Sequence, residues 1–79
     1  MAAEARLNDI DLKIARVIAD LGAASEVEVQ SRTLETLQTL RTEIGKMESG
    51  GLIRRRRNAF ASGYGDALEL TELGYKSIK

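Results

Sequence analysis

Four consecutive arginines, Arg54, Arg55, Arg56 and Arg57, are the sharpest chemical feature of this 79-residue chain. A guanidinium is a permanent cation whose planar fork of N–H donors matches a phosphate. Each such contact adds affinity that is sensitive to salt and blind to base sequence. Four adjacent cations repel one another unless anions lie nearby, so the run points to a polyanionic partner. The plainer reading is a charged edge strand that resists pairing with other chains.

A second set of candidates lies just before the run. Leu37, Leu40, Ile44 and Met47 recur at spacings of three, four and three, which is one apolar stripe of a helix. The opposite face holds Gln38, Thr42, Gly45, Lys46 and Ser49, with Thr39 and Arg41 beside it. Glutamine can pair with adenine, arginine with guanine, and threonine can touch a thymine methyl or a phosphate. Lys46 suits a phosphate. Taken alone, this face is also what an ordinary solvated helix presents. Gly45 inside the helix costs about 1 kcal/mol relative to alanine. It is either room for a closely approaching backbone or an unselected residue.

Catalytic chemistry finds little support. The chain has no Cys and no His, so thiol chemistry, acid–base triads, disulfides and most zinc sites drop out. Asp9 and Asp11 form a carboxylate pair, but the dipole of a helix start accounts for them. Gly63 and Gly65 fit no phosphate-binding loop, and Tyr64 has no neighbours that would make it a nucleophile. The expectation is no enzyme, no cofactor and no metal.

Length allows one domain over 1–79, with 1–6 as a flexible arm or helical extension. No apolar run approaches the ~20 residues that span a bilayer, and no secretory leader pattern opens the chain. A cytoplasmic protein with no membrane partner is expected. Net charge is zero, but the zero is a cancellation. Residues 1–31 carry three basic and six acidic groups, residues 32–57 seven and three, and residues 58–79 two and three. The basic middle hints at an anionic partner, although a solvated charged surface is the more common cause of such a pattern.

These candidates need elements to position them. Asn8 caps a first helix, stapled by Leu7 and Leu12, with Ile10, Ile14, Val17, Ile18 and Leu21 on its apolar face and Gly22 as its stop. Ser25 opens a short segment to about Arg32. The alternation of Val27 and Val29 admits a strand, but a short helix is preferred, followed by a turn at 33–35. Thr36 caps the helix over 36–49, and Gly50-Gly51 ends it. Leu52 to Arg57 reads as a strand, Asn58 to Asp66 as a loop and Ala67 to Leu70 as the returning strand. Thr71 caps a last helix, Glu72 to Ile78. The expected core is Ile10, Ile14, Val17, Ile18, Leu21, Val27, Leu37, Leu40, Ile44, Met47, Leu52, Leu68, Leu70 and Leu73. Phe60 and Tyr64 fall in the loop. Phe60 is either a wedge for a groove or partner, or a lid on the thin core.

The phrases LQTLRTEIGKMESGGLIRRRR and LELTELGYKSI carry a resemblance. Ile44, Met47, Glu48, Gly51, Leu52, Ile53 and Arg55 fit one motif; Leu68, Leu70, Thr71, Glu72 and Gly74 fit the next. Together they resemble the winged helix-turn-helix domains of MarR-like and PadR-like regulators. The segment 25–36 (SEVEVQSRTLET) departs from those families in lacking their Ala-x-x-Leu phrase and turn glycine. The resemblance implies a mainly α fold with a small β-hairpin: a three-helix core, a two-stranded wing and a C-terminal helix. It implies a sequence-specific double-stranded DNA-binding protein, a transcriptional regulator. Helix 36–49 would lie in the major groove and wing 52–70 on the backbone. The implied DNA contacts are Thr36, Gln38, Thr39, Arg41, Thr42, Lys46, Arg54, Arg55, Arg56 and Arg57. A homodimer held through Tyr75 and Ile78 is expected over a monomer. Alternatives are a protein-interaction module in a larger assembly, or a plasmid or viral replication accessory protein.

Overall fold

The computed structural model describes residues 7–57 and 65–78. Three helices come first: α1 (Asp9–Leu21), α2 (Glu26–Thr33) and α3 (Leu37–Ser49). A hairpin of β1 (Ile53–Arg56) and β2 (Ala67–Leu70) follows, and then α4 (Glu72–Ser77). The expected order holds throughout, and the segment that admitted a strand is the helix α2. The residues 1–6 and most of the 58–66 loop, with Phe60 and Tyr64, lie outside the described residues.

All four helices start on a side-chain cap that the sequence announces. Asn8 Oδ1 accepts from the Asp11 N–H at 2.8 Å, and Asp11 Oδ2 accepts in return from the Asn8 N–H. Ser25 and Glu28 repeat this reciprocal box on α2. Thr36 and Thr71 accept from the amides of Thr39 and Gly74. Each cap satisfies an amide that the helix leaves unpaired, worth about 1 kcal/mol. The corner between α2 and α3 has no glycine, and Leu34 takes its place with φ 62°. That left-handed conformation costs a non-glycine residue roughly 1–2 kcal/mol. Leu34 recovers nothing by packing, because it is 87% exposed.

The core gathers Ile14, Ile18, Val29, Leu40, Ile44, Met47, Leu52, Ile53, Leu68 and Leu70, with Ala15 and Ala24 filling between. Two expected members are on the surface instead: Val27 is 65% exposed and Leu73 is 51% exposed. Residues two apart on a helix point about 200° from one another, so only one of Val27 and Val29 can face inward. Val29 does, together with Thr33, whose hydroxyl donates to the Val29 carbonyl at 2.8 Å. Ile10, Val17 and Leu21 pack against the core as partly buried residues rather than inside it, and Leu37 is likewise half-buried.

The hairpin is antiparallel, with Ile53 opposite Leu70, Arg54 opposite Glu69, Arg55 opposite Leu68 and Arg56 opposite Ala67. A third strand-like contact was not expected. The Ala24 N–H donates to Leu68 O at 3.0 Å, and the Leu68 N–H donates to Ala24 O at 2.7 Å. Thus β2 is paired on both edges, and all four of its residues are buried. The root of the hairpin is locked by α4. Thr71 donates its hydroxyl to Leu52 O, and a Cβ on Gly74 would sit 2.2 Å from that same carbonyl oxygen. Only glycine permits this approach. At Gly45, by contrast, an added Cβ would meet nothing within 4 Å. No part of the described chain therefore needs a glycine at that position.

Candidate nucleic-acid interface

Helix α3 buries Leu40, Ile44 and Met47 and turns its other side to solvent. Thr36, Gln38, Arg41, Thr42 and Lys46 are exposed, and Thr39 is half-buried. Several of these already have work within the fold. The Thr36 hydroxyl donates to Thr39 Oγ1 at 2.9 Å, and that of Thr42 donates to Gln38 O at 3.0 Å. The second bond spends the Thr42 hydroxyl on its own helix. Arg41 Nε donates to Glu26 Oε1 of α2 at 3.4 Å, and Lys46 Nζ to Glu43 Oε2 at 3.4 Å. In both pairs the cation is mostly exposed, 63% for Arg41 and 66% for Lys46, over a carboxylate that is largely covered. Among the described residues the Gln38 side chain has no hydrogen-bond partner.

Strand alternation separates the arginines as expected. Arg54 and Arg56 stand on the outer face of the hairpin, and Arg55 on the inner face beside Leu68. The anions that relieve their repulsion come from this chain. Glu69 gives one carboxylate oxygen to Arg54 Nε at 3.0 Å and the other to Arg56 Nη2. Arg55 meets Glu48 of α3 at 3.4 Å, Asp66 at 3.5 Å and Glu26 of α2 at 4.0 Å. Burial alone would lower its pKa. The bond to Glu48, that carboxylate's charge, and then Asp66 and Glu26 outweigh burial and raise it. Arg55 thus joins the base of the wing to both helices of the corner. Arg57 is exposed, with no ion pair among the described residues.

One charged cluster was not legible as such. Asp11 is buried at the start of α1, where it caps the helix and also faces Glu43 of α3. Burial first, and then Glu43, push its pKa up to about 6, against the bond from Asn8. Glu43 moves the other way, mainly because it accepts a hydrogen bond from Asp11, with Lys46 assisting. Asp11 Oδ1 finds no donor among the described residues. Helix-start electrostatics explain Asp9, but only half of Asp11.

This architecture has counterparts among solved structures. A mutant of MarR from E. coli, complexed with operator DNA, superposes with a TM-score of 0.82 at 19% identity. The fold is that of a winged helix. BpsR from Bordetella bronchiseptica matches at 0.81 and 20% identity, and the transcriptional regulator BldR from Sulfolobus solfataricus at 0.80 and 23%. These matches cover 91%, 92% and 91% of this chain and 51%, 51% and 50% of theirs, in that order. The chain therefore spans about half the length of these winged-helix proteins. No family model matches the sequence, and no curated protein matches it at a significant level. No helix among the described residues is long and apolar enough to cross a membrane.

Proposed function

We propose that this winged helix binds double-stranded DNA and acts as a transcriptional regulator rather than an enzyme. The observation that carries the reading is helix α3. It packs by one stripe and leaves Gln38, Arg41, Thr42 and Lys46 exposed, in a fold that MarR presents to operator DNA. In this reading α3 enters the major groove, with Thr36, Gln38, Thr39, Arg41 and Thr42 nearest the bases and Lys46 toward a phosphate. Gln38 is the foremost reader, because its amide is unspent and can pair with adenine. The wing lies on the backbone through Arg54, Arg56 and Arg57. Arg55 belongs to the wing's foundation, since its donors already serve three carboxylates. Two copies of the chain would read two half-sites. Of the residues expected to join them, Ile78 packs against the core, while Tyr75 is 43% exposed.

The test is duplex selection from a random pool across a salt series. Enrichment of a defined sequence that survives moderate salt is the expected result. No retained duplex even at low salt would end the reading and leave the protein-interaction module in its place. Light scattering on the sized protein tests the pairing, which a mass near one chain contradicts.

A further inference from the structure

We propose that Glu69 sets how weakly the wing holds non-specific DNA, by competing with backbone phosphates for the guanidiniums of Arg54 and Arg56. The inference rests on the DNA-binding reading above and concerns the regulation of that same surface.

The geometry is a triad on the outer face of the hairpin. Cross-strand register puts Glu69 directly opposite Arg54, and alternation puts Arg56 on the same face. The Glu69 side chain is only 12% exposed, while those of Arg54 and Arg56 are 70% and 63% exposed. The two cations therefore lie over the carboxylate and face solvent. Each gives Glu69 a donor that a phosphate oxygen would otherwise take. A carboxylate and a phosphodiester accept from the same N–H groups, so wing docking exchanges one for the other or shares them. The triad also carries a net charge of one where the arginines alone would carry two. Both effects weaken attraction to any backbone, whatever its bases, and leave the contacts of α3 untouched. The loss falls equally on every duplex and shows most plainly on random DNA, because phosphate contacts supply most non-specific binding.

The test uses a random-sequence duplex and fluorescence anisotropy over a salt series, with the whole chain as it stands and the variant Glu69→Gln. The amide keeps the shape and loses the charge. The variant is expected to bind about tenfold more tightly at low salt, with a slope against log salt steeper by about 0.9 for each phosphate gained. If Glu69 instead positions the arginines productively, Glu69→Gln binds as the parent does or more weakly, which overturns the proposal and leaves DNA binding standing. If neither protein binds, the DNA-binding reading falls and takes this inference with it. Should Glu69→Gln fail to fold, Glu69→Asp replaces it. Its shorter carboxylate cannot hold both guanidiniums, so an intermediate gain is expected, and no gain overturns the proposal.

Discussion

The two faces of strand β1 carry the same side chain and put it to opposite uses. Arg55 on the inner face is enclosed by Glu26, Glu48 and Asp66, which tie the hairpin to α2 and α3. Arg54 and Arg56 on the outer face share one carboxylate and keep most of their surface in water. The difference comes from strand alternation and from what the surrounding elements offer each face, and not from the arginines. A run of like charges thus conceals one residue enclosed by three carboxylates among others that keep most of their surface in water. Removing Arg55 takes the shared cation from three carboxylates at once, whereas removing Arg54 or Arg56 alone leaves Glu69 paired with the other.

That contrast can be broken most severely at its root. Gly74→Ala forces a methyl group against the Leu52 carbonyl, where no flexible side chain can give way. It is expected to cost about 3 kcal/mol and to loosen both faces together, read as a fall in the midpoint of urea unfolding. Arg55→Ala sharpens the contrast. It should destabilise by roughly 1–2 kcal/mol, while Arg54→Ala and Arg56→Ala stay within about 0.5 kcal/mol, measured in the same denaturation series. Equal losses for all three would erase the distinction between the faces.

The Asp11–Glu43 pair supplies a second inward-facing charge contact, and it responds to pH. The Asp11 pKa is raised from 3.8 to about 6, so the protonated acid favours folding. That contribution is complete below its ordinary range and fades as pH rises through about 6. The Glu43 pKa is lowered, so its contribution is present above its ordinary 4.5 and fades as pH falls. Stability should therefore be highest near pH 5 and decline toward pH 7 by about 1 kcal/mol. Asp11→Asn should raise stability at neutral pH and flatten that decline. A parent that grows more stable from pH 5 to 7 would contradict the pairing. A further effect, of opposite sign, is expected on the solvent side of α3. Gly45→Ala should stabilise by up to about 1 kcal/mol, because no atom of the described chain opposes the added methyl.

Much of the fold was legible because it rests on local signals. Asn8, Ser25, Thr36 and Thr71 are short polar acceptors at the positions where helices begin, and each caps its helix as read. The stripe of Leu40, Ile44 and Met47 faces the core as its spacing requires. What escaped depends on contacts across the chain. Val27 and Val29 are equally apolar, and only the docking of α2 decides which is buried. Ala24 carries no strand signal, yet it pairs with Leu68 because the loop passes the free edge of β2. The candidate site divides in the same way. The polar face of α3 followed from its own periodicity. The partners of the arginines did not, since Glu26, Glu48, Asp66 and Glu69 reach them from four different segments.

The central claim is that the outer wing face and α3 together hold a DNA backbone and read its bases. Its most direct test is the salt dependence of duplex binding by the parent and by a variant with Arg54, Arg56 and Arg57 all changed to Ala. The account predicts weaker binding on every sequence and a slope flatter by about 2–3 units, with the preferred sequence unchanged. An unchanged slope, or a parent that binds no duplex at low salt, would contradict it.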